Sequence, residues 1–269
     1  MSLSSRILQK AAESLRFKTA DMLFKKSDLI YSGIYQFYLH YYNGEHYEGD
    51  SPPKLSKCDP LTPPYPKGTF VDELKAPAGH FIKINKNMVY PGHIVIPTSN
   101  SLDKQGQNLN DCDFYAFETI LQSFGNNGIG YYNSGIESGC SQMHKHIQYI
   151  PLNDNPIFKF YQSQYPLPYK YFSLNLPNFS FSSIKLGYHT LMDQFSSFGK
   201  TKNINNYNFI LSRNTAVLIP RKQARHPLGI TVNSLGFCGH LFLWEKDKRI
   251  LNNGAMCILK DLGVENKHF

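Results

Sequence analysis

The chain has 269 residues, of which 41% are hydrophobic and 18% charged, and carries a formal net charge of +8. That length can bury a substantial core as one large or two small domains, and the composition excludes a disordered chain. The basic balance suits polyanionic partners such as nucleic acid, phosphorylated metabolites or an anionic surface, and equally a solvated basic surface. No run of about five or six like charges forms a tail that grips nucleic acid.

Five cysteines (Cys58, Cys112, Cys140, Cys238, Cys257) make no C-x-x-C pair. The odd count argues against a zinc ribbon or a disulfide scaffold and for a reducing compartment. The opening residues lack the apolar run of a signal peptide, and Glu13 and Asp21 oppose a transit peptide. No stretch reaches the ~18–20 apolar residues of a membrane span. A cytoplasmic location is expected, with the nucleus left open.

In chain order, Ile7, Leu8, Ala11, Leu15, Met22 and Leu23 recur at helical spacing, which predicts a helix over residues 4–26 capped by Ser4 or Ser5. A strand is expected at residues 32–42, then an irregular Gly- and Pro-rich connection at 43–69. Residues 80–98 read as two antiparallel strands joined around Pro91-Gly92. Residues 109–125 read as a helix capped by Asn110 or Asp111, with Phe114, Ala116, Phe117, Ile120 and Leu121 inward and Gly125 at its end. GIGYYNSG and MHKHIQYIPL follow as strands, completing a strand–strand–helix–strand–strand unit. Residues 153–182 look like a connector, 187–199 like a helix. The segments NYNFILSRNTAVLIPRK and HPLGITVNSLGFCGHLFLW read as strands, with a turn at Ser212-Arg213-Asn214 and a short C-terminal segment after them. No repeat is evident.

The densest chemistry lies in SGCSQMHKHIQYIP, residues 138–151. In a strand, His144, His146 and Gln148 share one face, with Lys145, Ile147 and Tyr149 on the other. Three readings compete. An edge strand can expose a polar face. H-x-H can hold a metal, but the third aligned position is Gln148, a poor zinc ligand, and no Glu follows closely. Histidine can also act as a nucleophile on phosphorus, because neutral imidazole attacks well and a neighbour can polarise a phosphate oxygen. That chemistry needs donors around the phosphate, and Gly139, Ser141 and Gln142 offer backbone N–H groups and small polar side chains.

The pattern G-x-S-Q-x-H-K-H-x-Q-x-x-P resembles the diadenosine tetraphosphate phosphorylase (ATP adenylyltransferase) branch of the histidine-triad superfamily, akin to the galactose-1-phosphate uridylyltransferases. INKNMVYPGHIVIPT, LNDCDFYAF, YNSG, the Pro-Arg of NYNFILSRNTAVLIPRK and the NSLGFCG of ITVNSLGFCGHLFL extend the likeness over roughly residues 50–245. The resemblance implies an α+β fold, a histidine-triad-like antiparallel half-barrel sheet with flanking helices. It implies one catalytic domain over 1–269, built from residues 1–152 and 183–269 around the 153–182 connector. It implies phosphorolysis of diadenosine tetraphosphate by phosphate to ATP and ADP through an adenylyl-histidine on His146, with His144 supporting and Gln148 holding the α-phosphate. Substrate contacts are expected from Asn85, Lys86, Asn133, Gly139, Cys140, Ser141, Gln142, Asn233, Ser234, Leu235 and His240. An N-terminal lysine has three candidates, Lys54, Lys57 and Lys67. Cys140 replaces an expected Ser or Ala, His240 an apolar residue, and Trp244 a basic one.

No metal site and no tightly bound cofactor are expected, with Mg²⁺ at most accompanying the polyphosphate. Expected partners are the dinucleoside polyphosphate, phosphate, ATP and ADP; a membrane and nucleic acid are not expected, and the oligomeric state stays open. Rival functions are a histidine-triad hydrolase, which usually carries a third histidine where this chain has Gln148, and a hexose-1-phosphate nucleotidyltransferase, which commonly has Pro between the histidines. A catalytically silent nucleotide- or RNA-binding module is a third.

Overall fold

The computed structural model describes residues 1–42, 59–244 and 254–267. Part of the Pro-rich connection, with Lys54 and Lys57, lies outside the described residues. Helix α1 (Leu3–Arg16) is capped by Ser2, whose hydroxyl accepts the Ser5 N–H. It stops at Arg16 and does not run to residue 26. Lys18 turns left-handed with φ of 55°, and the N–H groups of Thr19 and Ala20 fold back onto the Ser14 carbonyl. Strands β1 (Asp21–Met22) and β2 (Phe24–Ser32) fill the remainder. Strand β3 (Tyr35–Tyr42) pairs antiparallel with β2 through a turn at Gly33, so the strand expected at 32–42 is the second arm of a hairpin.

Four strands follow: β4 (Phe70–Leu74), β5 (His80–Ile84), β6 (Asn87–Met88) and β7 (Ile94–Pro97). Helix α2 (Asp111–Ser123) begins with a reciprocal capping box. Asn110 accepts the Asp113 N–H, and Asp113 accepts the Asn110 N–H. All five side chains expected to face inward from it are buried. Strands β8 (Ile129–Ser134) and β9 (His146–Ile150) follow. The expected connector holds α3 (Phe158–Gln162) and β10 (Phe172–Asn175), and its Ile157, Phe158, Tyr161, Leu167 and Tyr169 are fully buried, so the segment contributes core and sheet. Then come α4 (Phe181–Lys202) and the hairpin β11 (Asn206–Ser212) with β12 (Thr215–Arg221), turned at Arg213-Asn214 with both φ positive. The segment expected as a strand around NSLGF instead forms a short helix, α5 (Ser234–Phe237), capped by Asn233, before β13 (His240–Leu243). Helix α6 (Ala255–Leu262) comes last among the described elements.

Eight strands make one sheet in the order β10-β12-β11-β8-β9-β7-β5-β4, with antiparallel neighbours throughout. A second sheet is β13-β3-β2. The α+β class with an antiparallel sheet and flanking helices is as expected. Alternation gives the large sheet two apolar faces. Ile82, Ile84, Ile94, Ile96, Ile147 and Tyr149 pack with Phe114, Phe117, Ile184 and Leu191 of α2 and α4. Tyr131, Ile150, Ile210 and Val217 pack in a second core with Phe37, Leu39 and Leu241 of the small sheet. His146 and Gln148 alternate with Ile147 and so lie on the face turned to the small sheet.

Candidate active site

His146 opens β9 and is 3% exposed. Its backbone is clamped on both sides by Gln105: the His146 N–H donates to Gln105 Oε1 (2.7 Å), while Gln105 Nε2 donates to His146 O (3.0 Å) and to Asn133 O (2.9 Å). The ring's Nδ1 lies 2.8 Å from His144 O. A carbonyl only accepts, so Nδ1 carries the hydrogen and Nε2 presents its lone pair. Burial, opposed in part by that hydrogen bond, pushes the His146 pKa down to about 4. The ring is therefore neutral and nucleophilic near pH 7.

His144 precedes the strand and joins the neighbouring loop through a single bridge to Lys104. Its Nε2 lies 2.9 Å from Thr98 O and donates to it, and its Nδ1 sits 2.6 Å from the Asp59 carboxylate. His144 thus fixes the carbonyl that orients His146 and brings a carboxylate to the site's edge.

Gln148 is oriented from behind. The Val89 N–H donates to His93 Nδ1 (3.3 Å), which leaves His93 Nε2 as the donor to Gln148 Oε1 (3.1 Å). Tyr131 donates to the same oxygen (2.9 Å). Burial lowers the His93 pKa to about 4, which keeps that ring neutral. With its oxygen held, Gln148 presents its NH₂.

Asn133 is set in the same way. Its Oδ1 accepts from Asn208 Nδ2 (2.7 Å), Ser234 N (3.1 Å) and Ser234 Oγ (2.7 Å), so its NH₂ is the outward end. Asn208 Oδ1 accepts from Arg221 (2.5 Å). Arg221 is 1% exposed and also donates to Ser138 O (3.1 Å) and Val232 O (2.9 Å), tying the loop before the histidines to the one before α5. Burial lowers its pKa to about 9, still cationic at pH 7.

The loop of Gly139, Cys140, Ser141 and Gln142 curves over this network. Gly139 has φ of 82°, and a Cβ there would stand 2.6 Å from Val232 O, so glycine is required. Burial raises the Cys140 thiol to about 12, which leaves it an uncharged filler. The Ser141 and Gln142 N–H groups have no internal partner among the described residues. A cleft between the small sheet and the loops at 139–141 and 231–233 is lined by Gly139, Ser141, Asn233, His240, Val89 and Phe242. His240 Nε2 donates to Asp154 O (2.8 Å), so its Nδ1 accepts from His40 Nε2 (3.0 Å). Both ring nitrogens are occupied, and His240 offers the cleft a ring face.

Other expected contacts lie elsewhere. Asn85 contacts His93 (3.2 Å) and accepts the Asn87 N–H, behind the site. Lys86 is exposed, its carbonyl accepting from Asp21. Leu235 is a core residue, and Lys67 is exposed over the Phe17 ring. Trp244 packs against Tyr42 with ring centroids 4.9 Å apart. Sequence reasoning missed Asp59, Gln105, Asn208 and Tyr131, which carry no local motif. His93 and Arg221 stood in view within PGH and PR. Among the described residues, no group of three His, Cys, Asp or Glu side chains is placed to hold a metal, and no helix is long and apolar enough to cross a membrane.

Comparison with known proteins agrees along most of the chain. Residues 38–168 match the Ap4A phosphorylase N-terminal domain model, and residues 165–265 match the ATP adenylyltransferase C-terminal domain model. Diadenosine 5',5'''-P1,P4-tetraphosphate phosphorylase 2 of Saccharomyces cerevisiae is 25% identical over 228 residues, 71% of this chain and 70% of that protein. The crystal structure of yeast Ap4A phosphorylase Apa2 in complex with AMP superposes with a TM-score of 0.83 at 21% identity, covering 99% of this chain and 100% of that one. The same enzyme in complex with Ap4A gives 0.82 with the same identity and coverage.

Proposed function

The chain belongs to the Ap4A phosphorylase and ATP adenylyltransferase family, and on that premise we propose that it converts diadenosine tetraphosphate and phosphate into ATP and ADP through an adenylyl-histidine. One observation carries the chemistry: a buried neutral His146 whose Nδ1–H is spent on His144 O, leaving Nε2 with its lone pair, on the strand that also carries Gln148 with its amide oxygen held from behind.

His146 Nε2 attacks the phosphorus that bears one adenosine. The P–N bond forms as the P–O bond to the next phosphate breaks, and its electron pair leaves on ATP. An oxygen of inorganic phosphate then attacks the same phosphorus. The P–N pair returns to Nε2, and ADP departs. The NH₂ groups of Gln148 and Asn133 and the N–H groups of Ser141 and Gln142 are the donors assigned to the phosphoryl oxygens, where charge stabilisation contributes most. Fixing those donors beforehand avoids reorganisation during transfer. Burial of His146 keeps water from the intermediate, which favours phosphate as acceptor. Mg²⁺ enters with the polyphosphate as part of the substrate, and the cytoplasm is the proposed compartment.

The test is turnover of diadenosine tetraphosphate with and without phosphate, products resolved by ion exchange. Equal amounts of ATP and ADP, formed only with phosphate, are expected. Phosphate-independent release of AMP would make the enzyme a hydrolase.

A further inference from the structure

Across the sheet, Phe70 of β4 pairs with Lys83 of β5, Lys83 with Val95 of β7, and Val95 with Gln148 of β9. Directly opposed residues point to the same face, so Phe70 and Lys83 share the face of Gln148. Two strand spacings, about 10 Å, separate Lys83 from Gln148. This far end of the catalytic face, on the opposite side of β9 from β8 and the phosphate loop, has no role in the steps above.

Its composition is unusual for a sheet edge. Lys83 is only 8% exposed, and its ammonium donates to Pro60 O (2.7 Å) and lies 4.8 Å from the Tyr65 ring centroid. Among the described residues no carboxylate pairs with it directly; nearby Asp59 is engaged by His144 and the Leu61 N–H. Burial lowers the Lys83 pKa, so an arriving anion would restore a favourable charge balance. Tyr65, Phe70 and Phe81 form a three-ring cluster beside it, with centroids 5.8, 6.1 and 6.5 Å apart. Phe70 is stacked with Tyr65 and remains 42% exposed. A cation beside an exposed aromatic platform suits a phosphate joined to a nucleobase, which stacks on any flat ring.

We propose that Lys83 and the Tyr65–Phe70–Phe81 cluster form a subsite for the leaving half of the substrate, with the ammonium on the polyphosphate and the distal base stacked on Phe70. The transferred adenosine then lies in the cleft beside His240 and Phe242, and the leaving nucleoside triphosphate crosses β9 and β7. The subsite deepens the phosphorolysis reading and rests on it for the identity of its ligand.

The experiment measures equilibrium binding by calorimetry in full-length protein carrying His146→Ala, which prevents turnover. Diadenosine tetraphosphate and ADP are the two ligands, and ADP fills only the transferred end. Phe70→Ala is expected to weaken the dinucleotide roughly tenfold and leave ADP unchanged. Phe70→Trp is expected to keep the affinity, and Lys83→Met to weaken the dinucleotide more than ADP. Equal weakening of both ligands by Phe70→Ala, or no weakening of either, would overturn the subsite. Failure of phosphorolysis itself would show separately, as absence of phosphate-dependent turnover with His146 intact.

Discussion

An amide side chain presents an acceptor at one end and donors at the other, so its value near a phosphate depends on which end faces out. Gln148 and Asn133 are each fixed by donors behind them, through His93 and Tyr131 in one case and through Arg221 and Asn208 in the other. Asn208→Asp tests the second relay. Aspartate keeps the acceptor for Arg221 but sets a carboxylate oxygen against Asn133 Oδ1 in place of a donor, and that repulsion, opposed by the Ser234 donors, pushes the Asn133 amide out of its set position. The new Arg–Asp pair offsets the lost bond. We expect a fall of about 100-fold in kcat for phosphorolysis, the scale of one lost oxyanion donor, with a melting temperature near that of the parent. Unchanged kcat would show that Asn208 orients nothing that touches the reaction.

At the scale of elements, β9 is held from its rear. Lys145, between the two histidines, donates to Asp113 at the start of α2 (2.6 Å) and to Asn108 O (2.9 Å). His80 meets the other Asp113 oxygen (3.1 Å), and against the cost of burial these two partners hold the carboxyl below its usual range. Lys145 and Asp113 are each 1% exposed, so breaking the pair leaves a buried charge uncompensated. Asp113→Ala should cost about 3–5 kcal/mol in urea denaturation. A cost below about 1 kcal/mol would mean that the pair does not anchor the strand. This element also shows what a sequence reveals. Alternation separated His146 and Gln148 from Ile147 and Tyr149, because one face is polar and the other apolar. The helix α2 and its cap were equally plain. The stop of α1 was not, since Lys18 takes a left-handed turn without glycine, and its apolar spacing continued through Met22 and Leu23 at β1. Asp59, Gln105 and Asn208 reach the site from segments far apart in sequence, so no local spacing pointed to them. The 153–182 segment was read from its Pro, Asn and Ser content, while its buried aromatics are recruited by contacts with β12, with Phe237 and with the residues that follow α6.

For the molecule as a whole, the space between the sheets holds four buried histidines in the neutral form. Burial lowers the pKa of His40 to about 3, helped by neighbouring His240, and those of His93, His146 and His240 to about 4. Their unfolded value is 6.5. Between these values the unfolded chain binds more protons than the native one, so stability falls as pH falls from about 6.5 towards about 4. The melting temperature should therefore be flat from about pH 7 to 8 and decline through that acid window. The double replacement His40→Phe with His240→Met should make the decline shallower. A profile unchanged by the replacement would show that the pair does not set the acid sensitivity.

In the proposed cycle His146 carries the adenylyl group. Its direct measurement is mass spectrometry of the protein after incubation with diadenosine tetraphosphate in phosphate-free buffer, followed by peptide mapping under alkaline conditions. One adenylyl group is expected on His146, labile to acid, discharged as ADP when phosphate is added, and missing from His146→Ala. Full phosphorolysis by His146→Ala, or an adenylyl group on another residue that discharges at the same rate, would contradict it.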